Sequence, residues 1–303
     1  SGKIILKKKV FITSNDNAPT VEFQSATASV NESSDFNNTA GTFTLQLSAV
    51  SEVDAKVYID DGNSGTASDG NVDYQLGSTE ITIPAGNTTT TFSLLIVADN
   101  TDEDDETFTI KLSNPVTDVS LGGQQTQIVT IIDDDDPPTI SIDTTNSSTN
   151  ISESIGTASF KFLLDLASEK NVSIDYAVNT SASTAATLNQ DYTGLAASGT
   201  VTMLAGTTDT TFTVTILSDL VDEENQTITL DLSSGTESNV SLSADLNSHT
   251  MKILDDDDGP AIYFVISTSS ASEGNTGTTT PVAFTITLTD SSEQTVAIPY
   301  TIS

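Results

Sequence analysis

Four consecutive aspartates, Asp133 to Asp136, follow the apolar stretch Ile128-Val129-Thr130-Ile131-Ile132 and precede Pro137-Pro138. A second run, Asp255 to Asp258, follows Met251-Lys252-Ile253-Leu254 and precedes Gly259-Pro260. Adjacent carboxylates repel one another, and an unneutralised cluster opposes compact folding. A chain that repeats such a cluster at one position relative to a strand is expected to bind a cation there. Every side-chain ligand on offer is an oxygen, which points to Ca2+, an ion that accepts about six to eight oxygens in loose geometry. Magnesium demands tighter octahedral geometry. Zinc prefers histidine or cysteine, and the chain has one histidine and no cysteine.

The same composition removes other chemistries. With His249 as the single histidine and no cysteine, no Ser-His-Asp or Cys-His arrangement has residues to fill it. A carboxylate pair could serve a glycosidase, but these acids recur near strand ends instead of gathering in one cleft, so no enzyme is expected. His249 has no partner at metal-ligand or triad spacing and reads as a surface residue near a strand. The 43 acidic side chains face nine basic ones, all lysine, for a net charge of −34. That balance leaves no basic surface for nucleic acid and disfavours docking on anionic lipid. No apolar run approaches the roughly 18 residues needed to span a bilayer, so no direct membrane insertion is expected.

The elements that position the acids come from an internal repeat of about 120 residues. Glu32, Glu153 and Glu273 fall in register, as do Asp73-Tyr74 with Asp191-Tyr192, and Asp99 and Glu103 with Asp219 and Glu223. Repeat one runs over 19–136 and repeat two over 137–258. Residues 1–18 read as the last strand of a preceding repeat, with Val10-Phe11-Ile12-Thr13 before Asn15-Asp16-Asn17. Residues 259–303 read as the first strands of an incomplete third. The chain therefore looks excised from a longer array, with almost no linker between repeats, so that neighbouring modules abut end to end.

Hydrophobic residues within each repeat alternate with period two. Phe43, Leu45 and Leu47 point one way; the counterparts are Phe160, Phe162, Leu164 and Leu166, then Phe284, Ile286 and Leu288. About seven such segments per repeat, separated by Gly, Asn and Asp-rich turns, predict an all-β chain of tandem immunoglobulin-like β-sandwiches. Tyr74 and Tyr192 read as packing residues beside their aspartates. Loops from one end of a sandwich converge, which would bring Glu32, Asp73, Asp99 and Asp134 together.

The order of these pieces resembles the Calx-beta domain, known from sodium/calcium exchangers, an integrin subunit and large bacterial surface proteins. The resemblance rests on an early glutamate, an Asp-Tyr pair, a mid-repeat acidic stretch before Thr107-Phe108-Thr109-Ile110-Lys111-Leu112-Ser113, and a terminal strand with its aspartate run. It implies a two-sheet sandwich with Ca2+ held by loops at one end. Carried onto repeat one, the ligands would be Glu32, Asp73, Asp99, Glu103, Glu106, Asp133, Asp134 and Asp135, with the Thr101 carbonyl. Carried onto repeat two, they would be Glu153, Asp191, Asp219, Glu223, Asp255, Asp256 and Asp257, with the Val221 carbonyl. Both repeats depart from the exchanger pattern, having Ala98-Asp99 and Ser218-Asp219 where two successive aspartates stand. Repeat two also has Gln226 in the place of Glu106, so it is expected to be the weaker site.

The function expected from these readings is a calcium-binding structural segment of a large extracellular, bacterial surface protein, such as an adhesin stalk or filament. Calcium would rigidify the junctions between neighbouring repeats, and any surface or host ligand would be met by other domains. Two alternatives stay open: regulatory Ca2+-sensor domains of a membrane transporter, and a cadherin-like adhesion ectodomain, since Asn15-Asp16-Asn17-Ala18-Pro19 is similar to the inter-domain linker of cadherins.

Overall fold

The computed structural model describes residues 17–33, 38–77, 79–116, 119–265 and 270–302. The expected strand at Val10–Thr13 lies outside the described residues. Two compact units divide after Asp136.

The first unit carries β1 (Thr20–Phe23), β2 (Thr27–Asn31), β3 (Thr39–Leu47), β4 (Ala55–Gly65) and β5 (Tyr74–Gln75). It continues with β6 (Thr79–Ile83), β7 (Thr89–Ile96), β8 (Glu106–Val116), β9 (Ser120–Leu121) and β10 (Thr126–Ile132). They form two five-stranded sheets, in the orders β5-β7-β3-β1-β9 and β2-β10-β8-β4-β6. More strands appear than the seven segments expected. The first segment breaks at Gln24-Ser25-Ala26, so that β1 joins one sheet and β2 the other, and β5 and β9 are two-residue edges. Ser25 makes the break locally, its hydroxyl donating to the Thr27 carbonyl at 2.7 Å.

The second unit repeats this plan with β11 (Thr139–Ile142), β12 (Asn150–Ser152), β13 (Thr157–Leu164), β14 (Val172–Asn179) and β15 (Tyr192–Thr193). There follow β16 (Ser198–Met203), β17 (Asp209–Ile216), β18 (Gln226–Leu232), β19 (Ser241–Leu242) and β20 (Ser248–Leu254). Its sheets run β15-β17-β13-β11-β19 and β12-β20-β18-β14-β16. Among the described residues the only helical element is a 3-10 turn over Glu153–Ile155. The chain is all-β, two tandem sandwiches. Beyond them β21 (Ile262–Phe264) pairs antiparallel with β22 (Ile286–Leu288).

Each sandwich buries the inward residues of both sheets, as one-sided alternation requires. In the first, Phe23, Phe43, Leu45, Ile59, Phe108 and Ile110 are fully buried. Tyr74 stacks on Phe108 with ring centroids 3.9 Å apart. In the second, Phe160, Phe162, Ile174, Val201, Leu230 and Met251 occupy the matching layer. Two expectations are corrected. Leu166 is 47 % exposed, because β13 ends at Leu164 and the alternation ends with it. His249 is buried at 7 % exposure, since β20 turns its odd-numbered residues inward and sets His249 on the face of Met251 and Ile253. Its Nε2 lies 2.8 Å from the Ser148 carbonyl, which only accepts, so Nε2 carries a proton and donates. The ring also meets Phe160 edge-on.

Candidate metal centres

Strand register brings the acids together. In the first sandwich β2 runs parallel to β10, with Asn31 opposite Ile132. Both strands therefore leave the sheet at the same end, and Glu32 N–H donates to the Ile132 carbonyl at 2.9 Å. β8 runs antiparallel to β10, with Glu106 opposite Ile131, so it begins where β10 ends. In the other sheet Tyr74 pairs with Ile96, and Val97 N–H donates to the Asp73 carbonyl at 3.0 Å. Four chain segments thus deliver Glu32, Asp73, Asp99 to Glu106 and Asp133 to Asp135 to one rim.

The rim of repeat one holds two groups of acids. Asp73, Glu103 and Glu106 each offer a carboxylate oxygen within 4.8 Å of the others. Beside them, Glu32 Oε1 accepts from the Asp99 amide at 3.0 Å, and Asp99 Oδ1 accepts from the Thr101 amide at 2.7 Å. The second bond makes an Asx turn that fixes the loop through Thr101. Burial pushes the Glu32 carboxyl up to about 7, with Asp99, Asp135 and Asp133 adding repulsion against the Asp99 hydrogen bond. Burial also pushes Asp135 up to about 6, helped by Asp133, Asp134, Asp99 and Asp102. Asp135 Oδ2 is buried with no hydrogen-bond donor among the described residues. Leaving such an oxygen unsatisfied costs about 1–3 kcal/mol, and a divalent cation among these oxygens would satisfy it.

Repeat two reproduces the frame. Ser152 pairs with Leu254 and Gln226 with Ile253. Glu153 is buried, and its Oε1 accepts from the Asp219 amide at 2.8 Å, while Asp219 Oδ1 accepts from the Val221 amide at 2.7 Å. Glu153, Asp219 and Asp257 bring carboxylate oxygens within 4.8 Å of one another. Asp191 sits before β15, its Oδ2 accepting from Thr187 N–H at 2.5 Å as Asp73 Oδ2 accepts from Ser68 N–H. Glu223 is pushed up to about 7, by burial first and then by Glu293, Asp191, Asp219 and Glu153. Asp255 Oδ1 accepts from the Glu223 amide at 3.3 Å.

The aspartate runs do not act as blocks. Asp133 and Asp135, like Asp255 and Asp257, are partly buried, whereas Asp134 and Asp256 are exposed. Extended backbone sends successive side chains to opposite sides, so neighbours within a run meet different surroundings. Asp134, expected beside Glu32, Asp73 and Asp99, is exposed, and the acids that repel Glu32 are Asp99, Asp135 and Asp133. Asp256 instead accepts from the hydroxyls of Ser152 and Ser154 at 2.5 and 2.7 Å, which hold its carboxyl below the usual range.

Sequence reasoning passed over several residues. Asp102, 3 % exposed, adds repulsion on Asp135. Asp105 and Asn225 occupy one register position and accept from the first amide of each run, Asp133 at 3.2 Å and Asp255 at 3.1 Å. Their common place before β8 and β18 was a signal in the repeat alignment. Glu293 lies outside both complete repeats, and its one signal was the recurrence of Ser-Glu at 51–52, 168–169 and 292–293.

The Calx-beta domain family matches residues 14–135 and 133–257. No curated protein matches the sequence. Among solved structures, the chain is 18 % identical to CBD12 from CALX1.2, covering 78 % of this chain and 100 % of that one, with a TM-score of 0.36. It is 21 % identical to the calcium binding domain CBD12 of CALX1.1, covering 74 % and 82 %, at a TM-score of 0.36. With the apo-form Calx CBD1 domain it shares 24 % identity over 39 % of this chain and 100 % of that one, at 0.35. The family assignment rests on the sequence match over both repeats.

Proposed function

This chain belongs to the Calx-beta domain family, and from that premise we propose that it is a non-catalytic, calcium-binding structural segment of an extracellular surface protein, of the kind that forms bacterial adhesin stalks. Calx-beta domains bind Ca2+, and the donor set fits that ion: several carboxylates from separate loops, with no nitrogen or sulfur required. In repeat one, Glu32, Asp99, Asp133 and Asp135 form one group of ligands and Asp73, Glu103 and Glu106 the other. In repeat two, Glu153, Asp219 and Asp257 form the core, with Asp191, Glu223 and Asp255 beside them. The single observation that carries the reading is the buried Asp135 Oδ2, with no donor among the described residues, amid mutually repelling acids.

A structural role is favoured by where the acids stand in the chain. Each run leads directly into the next repeat through Pro137-Pro138 or Gly259-Pro260, so neutralising it stiffens the joint. The surface location rests on composition alone: abundant serine, threonine and asparagine, no arginine and a net charge of −34, suited to a calcium-rich exterior.

The test is calorimetry and small-angle scattering of the whole chain in calcium and in chelator. Saturation at about 100 times Kd stabilises by about 2.7 kcal/mol, which raises the melting temperature by roughly 10 °C for a domain of this size. Scattering should show a longer, stiffer particle with calcium. Identical traces in the two buffers would refute the proposal.

A further inference from the structure

The loop that carries Glu223 also makes a contact that needs no ion. Ser292 Oγ donates to Asp222 Oδ2 at 2.7 Å, and Gln294 Nε2 lies 3.2 Å from Asp222 Oδ1 and 2.8 Å from the Glu223 carbonyl. The Glu293 amide donates to the Asp222 carbonyl at 3.0 Å. Asp222 and Ser292 thereby form an isolated parallel bridge. The turn is tied to the β21–β22 pair, because Thr289 and Ala261 exchange hydrogen bonds of 2.9 Å. Gly259 passes close by, a Cβ there meeting Asp222 Oδ2 at 3.6 Å.

The docked element is a recurring one. Ser292-Glu293 corresponds to Ser51-Glu52 and Ser168-Glu169 in the earlier repeats. All three serines fold the same turn: the hydroxyl accepts from the amide two residues on, Val53 at 3.2 Å, Lys170 at 3.0 Å and Gln294 at 3.0 Å. Such a turn is formed locally, before any partner is met. The receiving residue recurs as well, since Asp102 stands in the register of Asp222.

We propose that the Asp222-Glu223 segment is a docking surface for the Ser-Glu turn of the following copy of the repeat, a protein-to-protein clasp independent of calcium. The inference rests on the reading of the chain as tandem repeats, and not on ion binding. Specificity comes from geometry: the acid accepts two side-chain donors while a main-chain bond sets the register. The clasp also brings the Glu293 carboxylate toward Glu223, a like-charge approach that a contact without these hydrogen bonds would not favour.

Amide hydrogen exchange on the whole chain in chelator tests this directly, because the Glu293 amide is one of the bonded groups. Its exchange should run about a hundredfold slower than in a free peptide. Ser292→Ala with Gln294→Ala removes the side-chain anchors and should speed that exchange about thirtyfold, leaving the melting temperature of repeat two unchanged. Exchange within about threefold of the free-peptide rate in the native chain, or an unchanged rate in the double variant, would overturn the clasp. Failure of calcium to bind would leave Glu293 protected, so the two proposals fail separately.

Discussion

Gln226 donates its side-chain amide to Glu223 at 2.8 Å, at the position where the first repeat sets Glu106 beside Glu103 and Asp73. One sandwich therefore gathers three carboxylates on that side of the rim, and the other closes a carboxylate onto a neutral donor. The difference is internal to the chain, so each repeat serves as the control for the other.

Calcium affinity should follow this exchange. Gln226→Glu is expected to tighten the repeat-two site about tenfold and Glu106→Gln to weaken repeat one by a similar factor, since ligand charge count tunes affinity. Isothermal titration of the whole chain with each variant reads both. Equal affinities in native and variant chains would show that these positions lie outside the coordination sphere.

Acid should stabilise the ion-free protein. Glu32 and Glu223 titrate at about 7 and Asp135 at about 6 in the folded state, above their ordinary values, so between about pH 4.5 and 7 the native state binds more protons than the unfolded chain. Stability then falls as pH rises through that window. In chelator the melting temperature should be higher at about pH 5 than at pH 7.5; in saturating calcium the order should reverse, because the ion requires the charged carboxylates. Melting in chelator that rises steadily with pH would contradict the clustering of these acids.

Within one run, neighbours should behave differently. Asp134→Asn, at an exposed position, should change calcium affinity by no more than about twofold. Asp135→Asn should weaken it by tenfold or more on the order expected for one charged ligand. Equal losses at the two positions would mean that the alternation along the run does not survive ion binding.

His249 should matter for stability alone. His249→Ala removes a buried ring, its bond to the Ser148 carbonyl and its edge contact with Phe160. A loss of about 2–4 kcal/mol is expected, lowering the melting temperature of repeat two by roughly 10 °C with its calcium affinity unchanged. A variant that melts like the native chain would show that the ring contributes no packing.

Local rules reached far in this chain. Phe43, Leu45, Phe160 and Phe162 follow strict alternation, and strands of that pattern have only one way to hide their apolar faces. The repeated Glu, Asp-Tyr and aspartate-run positions marked the rim because each abuts a strand end, and strand ends are readable from the same alternation. His249 was misplaced by residue type, although its spacing from Met251 and Ile253 gave the inward phase. Leu166 was misplaced by running the alternation two residues past the end of β13.

The amino-acid order by itself determined the all-β class, the period of about 120 residues and the kind of ion the acids would suit, because side-chain alternation and ligand chemistry are local properties. Which carboxylates meet was decided only in three dimensions. The parallel pairing of β2 with β10 sets Glu32 at the head of the aspartate run, and the phase of the extended chain turns Asp135 inward and Asp134 outward. Pairing partners and phase depend on contacts between segments about 100 residues apart, and no stretch of sequence read alone contains them.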